Sequence, residues 1–236
     1  STLRNSSALD KTSLHMSKRM LHLWIRAEQR KNEKRVGITP LDASKLLSAG
    51  IKVTVEDNAD RIIPIEEYNK VGCEIAKEHG WPSAPKNTII LGLKELPKYT
   101  EIIEHKHIMF GHAFKGQTCG LELLKKFKAG KGILYDLEYL TDPEGRRLAA
   151  FGYWAGFSGA AVSLKAYADQ QNIKGICGPV SVFENKEAMV DNVKKALLNV
   201  EKKSPKILVV GAIGRVGTGA IDFCEALGLT ITKWDI

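Results

Sequence analysis

Two segments place a proton-carrying side chain directly after an apolar run. In Gly92-Leu93-Lys94-Glu95-Leu96-Pro97 a Lys-Glu pair follows the apolar stretch Thr88 to Leu93 and is held by a proline-containing turn. A lysine projected from a strand end has its pKa lowered where it is partly desolvated or close to another cation, which suits it to proton transfer near neutrality. In His107-Ile108-Met109-Phe110-Gly111-His112-Ala113-Phe114-Lys115 a histidine leaves the end of a second apolar run, and a neutral imidazole exchanges protons at physiological pH. Taken alone, a Lys-Glu pair is as readily a solvated surface pair. His105, His107 and His112 lack a metal-ligand spacing, and His105 and His107 read as surface or loop residues.

Arginines supply a different chemistry. Arg35 lies just before a helix start in Glu33-Lys34-Arg35-Val36-Gly37-Ile38-Thr39-Pro40, and Arg146 and Arg147 follow the turn Pro143-Glu144-Gly145. A guanidinium clamps a carboxylate through two parallel hydrogen bonds, which would suit a substrate with several carboxylates. Singly, each arginine is equally a surface residue.

A third chemistry is read from glycine. Gly211, Gly214 and Gly217 stand at intervals of three between the apolar run ending at Val210 and an amphipathic stretch. Glycine there permits a tight turn and close backbone approach, so that a helix N-terminus faces a pyrophosphate. The spacing departs from GxGxxG, and a purely structural turn fits it as well. Asp235, 24 positions after Gly211, ends a second apolar run about where an acid accepts the ribose hydroxyls of NAD, and its charge would repel the 2′-phosphate of NADP.

These residues need an α/β frame. Short apolar runs alternate with amphipathic stretches, the rhythm of parallel strands joined by helices. Strands are predicted at 21–26, 51–55, 88–93, 108–111 and 132–135. Thr39-Pro40 supplies an N-cap and a first-turn proline for a helix closed by Gly50, and another helix is predicted at about 118–128. Residues 151–168 read as a buried helix rich in small residues, and 184–202 as a polar one. The last unit is predicted as a strand over 206–210, a turn over 211–219, a helix to about Leu227 and a strand over 229–235. The fold class is therefore α/β: a Rossmann-like N-terminal domain over 21–203, including connecting helices, then the start of a doubly wound dinucleotide-binding domain over 204–236. A complete cofactor domain needs more strands than that, so the sequence reads as the N-terminal part of a larger protein. Residues 1–20, rich in Ser, Lys and Arg, read as a flexible leader, a processed end or an expression remnant.

Composition narrows the function classes. The net charge is +8, but the Lys and Arg are spread along the chain without an aromatic-interleaved stripe, so no nucleic-acid partner is expected. An electropositive pocket for polyanionic metabolites accounts for the sign equally well. No apolar run reaches about 18 residues, so no membrane span is expected. The four cysteines, Cys73, Cys119, Cys177 and Cys224, are widely separated, which suggests buried thiols rather than a zinc site or a disulfide framework.

The motifs in order are Arg26-Ala27-Glu28, Glu33 to Pro40, Gly92 to Pro97, Phe110 to Lys115 with Gln117, Leu134 to Glu138, Gly145 to Gly152, and the glycine turn ending at Lys233-Trp234-Asp235. Jointly they resemble the lysine-forming, NAD-dependent saccharopine dehydrogenases, within the wider alanine dehydrogenase and transhydrogenase family. The resemblance runs from about Leu21 to the last residue. It implies two α/β domains, NAD as cofactor, no metal, and cleavage of saccharopine to L-lysine and 2-oxoglutarate.

Carried onto these positions, the resemblance implies Lys94 and His112 as the acid-base pair. It implies Arg35, Lys94, Glu138 and Arg147 as substrate-binding, and Glu95 and Glu138 as carboxylates that tune the site's charge. It also implies Gly211, Gly214, Arg215, Val216, Gly217 and Asp235 as cofactor-binding. Val216 stands where the family often has Cys, and Ala113-Phe114 where Cys-Tyr is usual, while His112 and Lys115 are kept. Three alternatives stay open: a non-catalytic fragment completed by another chain, an alanine dehydrogenase, or an NADP-dependent lysine-oxoglutarate reductase. Cytoplasm and peroxisome are both open as locations.

Overall fold

The structure, a computed structural model, describes residues 20–98, 100–114, 116–150, 152–172, 176–200 and 204–235. Nearly all of the expected leader, together with Lys115 and Phe151 of the motifs above, lies outside the described residues. Contacts divide the chain into two compact units between Leu137 and Glu138.

The first unit is built on β1 (His22–Ile25), α1 (Pro40–Ser48), β2 (Lys52–Glu56), α2 (Ile65–Lys70), β3 (Glu74–Ala76), β4 (Ile89–Leu91), β5 (Lys106–Met109), α3 (Thr118–Gly130) and β6 (Ile133–Asp136). The six strands form one parallel sheet in the order β3-β2-β1-β4-β5-β6. The order reverses between β1 and β4, and the carboxyl ends of strands at such a reversal are where open α/β sheets bind ligands. On one face Ile25, Val53, Val55 and Leu91 pack with Ala43 of α1 and Tyr68 of α2. On the other, Ile90 packs with Trp81 and Ala84. Thr39 caps α1 by accepting from Asp42 N at 3.2 Å, with Pro40 in the first turn, as its sequence signals require.

The second unit contains α4 (Tyr153–Gln171), α5 (Lys186–Leu198), β7 (Ile207–Val210), α6 (Arg215–Ala226) and β8 (Ile231–Trp234), with β7 and β8 paired in parallel. Phe157, Ala161 and Leu164 of α4, Val193 of α5, and Phe223 and Cys224 of α6 form its core. The connecting helices α4 and α5 thus pack with the glycine-turn segment. The turn is shorter than the sequence suggested, because α6 begins at Arg215 and already contains Gly217 and Gly219. Those glycines serve close packing: a Cβ on Gly217 would overlap the Gly211 carbonyl, and one on Gly219 the Tyr153 carbonyl of α4. Gly156 of α4 meets the Val216 carbonyl in the same way.

Three further expectations are corrected. His105 and His107 are not surface residues; they are 3% and 0% exposed. The His107 ring packs edge-on against Trp81 and Phe127, at centroid distances of 4.9 and 5.6 Å. All four cysteines are free, but only Cys73 and Cys224 are buried, whereas Cys119 is exposed and Cys177 half-buried. The helix over 151–168 is not wholly enclosed, since Trp154 and Val162 are exposed.

Candidate functional site

In the first unit, Lys94 and His112 follow adjacent strands. Leu91 of β4 is in register with Ile108 of β5, and the pairing runs on past the strand ends, with Gly92 N donating to Ile108 O at 3.0 Å and Phe110 N to Leu93 O at 3.3 Å. The lysine and the histidine therefore leave the same carboxyl edge of the sheet, and both are half-buried. His112 has a positive φ of 49°, a conformation that non-glycine residues rarely adopt and that concentrates at functional sites. Its ring stacks on Phe110 at 6.3 Å between centroids. Beside it, Asp136 at the end of β6 accepts from Gly111 N at 3.2 Å.

Carboxylates surround the lysine's main chain. Glu28 Oε1 accepts from Leu93 N at 2.5 Å and Glu28 Oε2 from Lys94 N at 3.0 Å. Glu95, although burial raises its pKa, is held below the usual value by the hydrogen bond from Arg30 Nε at 2.8 Å, with Lys94 adding to the effect. Arg35 is gripped by Glu33, whose Oε1 accepts from Nε at 2.8 Å and whose Oε2 accepts from Nη2 at 2.7 Å. That fork lowers the Glu33 pKa, with Lys94 contributing, and raises that of Arg35. Arg26, Glu28, Glu33, Arg35, Asn58 and Arg61 together line a small cleft beside the reversal between β1 and β4. A substrate carboxylate reaching Arg35 would share the guanidinium with Glu33.

Sequence reasoning missed Glu56, which ends β2 and is 0% exposed. Its carboxylate accepts from Trp24 Nε1 at 2.9 Å, Trp81 N at 2.7 Å, Ala27 N at 2.8 Å and His79 N at 3.0 Å. A carboxylate can be buried when its lone pairs are filled in this way. It ties the loop after β1, where Arg26 and Glu28 sit, to the rest of the sheet. The one signal available was an acid ending the otherwise apolar run Val53-Thr54-Val55.

The second unit holds the other candidates. Glu138, largely buried, pairs with Arg147, its Oε1 lying 3.1 Å from Nη1. Arg147 follows the turn at Gly145 and also donates to Ala149 O at 3.2 Å. Its own carbonyl accepts from Arg215 Nη1 at 3.3 Å, so the fold joins an expected substrate ligand to an expected cofactor ligand. After β7, Gly211 takes a φ of +76°, and its N–H, like that of Ala212, donates to Trp234 O. The first-turn amides of Arg215, Val216 and Gly217 precede the first intrahelical bond, from Thr218 N to Gly214 O at 2.9 Å. They mark a helix N-terminus suited to an anion. Asp235 is exposed and tied to the turn, its Oδ2 accepting from Ile213 N at 2.6 Å.

Residues 24–158 match the N-terminal domain of alanine dehydrogenase/PNT. The chain belongs to the alanine dehydrogenase/PNT family. It is 43% identical over 226 residues to the NAD(+), L-lysine-forming saccharopine dehydrogenase of Yarrowia lipolytica, an alignment that covers 91% of this chain and 60% of that protein. The enzyme of the same name from Candida albicans is 41% identical over 240 residues, with 94% and 63% covered. The resemblance read from the motifs is thereby borne out. The chain spans about 60% of the length of these curated relatives. Among solved structures, a transhydrogenase from Sinorhizobium meliloti aligns with a TM-score of 0.59 at 19% identity, over 91% of this chain and 56% of that one. An L-alanine dehydrogenase aligns with a TM-score of 0.57 at 18% identity, over 92% and 55%. The α/β class of this family is the fold expected from the sequence.

Proposed function

We propose that this chain is the N-terminal part of an NAD-dependent saccharopine dehydrogenase, which cleaves saccharopine oxidatively to L-lysine and 2-oxoglutarate. In this reading residues 21–203 are the substrate and catalytic domain with its connecting helices, and 204–236 begin the NAD-binding domain. The observation that carries the reading is the delivery of Lys94 and His112 from neighbouring strands to one sheet edge at the reversal of strand order. Relatives of about 40% identity that bear this name support it.

The glycine turn fits NAD. Arg215, Val216 and Gly217 would offer main-chain amides to the pyrophosphate, Gly211, Gly214 and Gly217 allow its close approach, and Asp235 would accept the ribose hydroxyls and repel a 2′-phosphate. Bound NAD supplies the hydride acceptor for the carbon bearing the secondary amine. The remaining work is proton transfer. His112 takes the proton of the water that adds to the oxidised carbon, and Lys94 moves protons at the substrate nitrogen as the carbinolamine collapses and lysine leaves. Arg35 and Arg147 bind substrate carboxylates, while Glu95 and Glu138 keep the charge of the site balanced. Asp235 disfavours the NADP-dependent reductase, and the two arginines suit a more acidic substrate than alanine. Cytoplasm and peroxisome are the proposed locations, and a complementing chain is the proposed partner should the remaining cofactor domain be separate.

The test is NADH formation from saccharopine and NAD by this chain and by the protein completed to the length of its relatives. Turnover with saccharopine in the completed protein, and at least about tenfold less with alanine or with NADP, is the expected result. Turnover with alanine but not saccharopine would overturn the reading. Activity in the 236-residue chain alone would mean that the part of the relatives beyond the matched span is supplied by another chain or is dispensable.

A further inference from the structure

We propose that Arg26 and Glu28 form a positioning clamp that fixes the main chain of Lys94 at the carboxyl edge of β4. The inference rests on the acid-base role given to Lys94 above and adds two residues that the proposed function leaves without a role.

Arg26 immediately follows β1, and Lys94 lies three positions beyond β4, on the two strands between which the sheet order reverses. Glu28 takes the Leu93 and Lys94 amide N–H groups, one on each carboxylate oxygen, at 2.5 and 3.0 Å. Arg26 Nη2 donates to the Lys94 carbonyl. The clamp closes on itself, because Arg26 Nη1 lies 3.4 Å from Glu28 Oε2 and also donates to Ala27 O at 3.3 Å. Both main-chain polar groups of Lys94 are thus held by one acid-base pair. The pair is enclosed, with side-chain exposures of 0% for Arg26 and 8% for Glu28, and Arg26 Nε has no hydrogen-bond partner among the described residues.

Burying a guanidinium is costly, and an apolar side chain of similar volume would often hold a fold as well or better. The cost is met here at the one place where a lysine must be kept in register with the histidine of the next strand. Gly92 makes the space, since a Cβ at that position would overlap the Arg26 guanidinium. The lysine side chain is a flexible four-carbon stem, so the Cα position is what the fold can fix, and misplacement by about 1 Å can cost about a hundredfold in rate. Because the charge of Lys94 helps to lower the pKa of Glu33 and of Glu95, moving its main chain also changes the field that those carboxylates feel.

The experiment compares kcat, KM and the pH dependence of kcat for the completed protein and its Glu28→Gln, Arg26→Lys and Gly92→Ala variants, with Lys94→Met as control. Circular dichroism and exchange of the Leu93 and Lys94 amides are measured alongside. Gln offers one acceptor where Glu28 offers two, Lys removes the guanidinium fork, and Ala displaces Arg26 without touching either charge. The expected result is folded protein, faster exchange at both amides, kcat lowered at least about tenfold, KM for NAD within about twofold, and a displaced limb in the pH profile. If Arg26→Lys fails to fold, Glu28→Gln and Gly92→Ala carry the test. Folded variants with lost amide protection but wild-type kcat and pH profile would overturn the clamp while Lys94→Met remains inactive. Wild-type turnover in Lys94→Met would instead remove the acid-base reading, and the clamp with it.

Discussion

At the carboxyl edge of β1, β4 and β5, the groups around the cleft are side chains: a guanidinium held by Glu33, a lysine whose main chain is held by Glu28 and Arg26, and a histidine in a left-handed conformation. At the turn between β7 and α6 they are main-chain amides, exposed by glycines and oriented by a helix. The two regions differ in what can go wrong. A side-chain site depends on buried partners that keep long, charged groups in one place, so its weak points are the supporting acids. A main-chain site depends on how closely backbones approach, so its weak points are the glycines.

The largest effect should come from the buried acid beneath the side-chain site. Glu56→Ala strips four donors of their acceptor and is expected to cost about 3–5 kcal/mol by urea denaturation. A loss below about 1 kcal/mol would show that water replaces the carboxylate. In the main-chain region, Gly219→Ala forces α4 and α6 apart at the Tyr153 carbonyl, with an expected loss of about 3 kcal/mol, while the equivalent change at the solvent-facing Gly159, where nothing lies within 4 Å, should cost little.

A third prediction concerns pH. Burial holds His107 to a pKa of about 3, with Arg26 and His105 adding to the effect, and neither ring nitrogen has a hydrogen-bond partner among the described residues. Because the folded pKa lies below the unfolded one, the neutral ring's contribution is complete above about pH 6.5 and is lost as pH falls toward 3. Between pH 7 and 5 this amounts to about 2 kcal/mol. The His107→Phe variant should lack that part of the acid destabilisation, and an unchanged pH dependence would contradict the assignment. The smallest effect belongs to Asp235→Asn. In the completed protein it should narrow the preference for NAD over NADP by about tenfold, and removing one exposed hydrogen bond to Ile213 N should cost at most about 1 kcal/mol in stability. A cofactor preference unmoved in direct binding would place the discrimination elsewhere.

The comparison also explains what was legible in the sequence. β1, β2 and β4, in the middle of the sheet, are legible because a parallel strand covered on both faces is a largely apolar run; β5 begins at Lys106, two residues before the strand expected at 108–111, and β6 is an edge strand legible from Ile133, Leu134 and Tyr135 although Ile133 and Tyr135 are exposed. β3 was not legible, since Glu74-Ile75-Ala76 is a short edge strand with exposed side chains, and the six-residue α2 is too short to show a period. The glycine turn was found, but its length was overestimated. Gly217 and Gly219 signal a turn by type, and only the structure reveals that they are helical residues pressed against carbonyls. For the side-chain site, the positions of Lys94 and His112 followed from the strand ends. The four-donor role of Glu56 and the burial of His107 did not, because partners 20 or more positions away leave no local pattern; the grip of Glu33 on Arg35 is local, two positions apart, but spacing alone does not choose it among the charged neighbours of that stretch.

Under the proposed function, the sheet edge carrying Lys94 and His112 performs the proton transfers. The most direct test is the pH profile of saccharopine-dependent NADH formation by the completed protein with Lys94→Met and with His112→Gln. Loss of at least about a hundredfold in kcat, with one limb of the profile abolished in each variant, is the predicted result. Turnover and a profile equal to the wild type in both variants would contradict it.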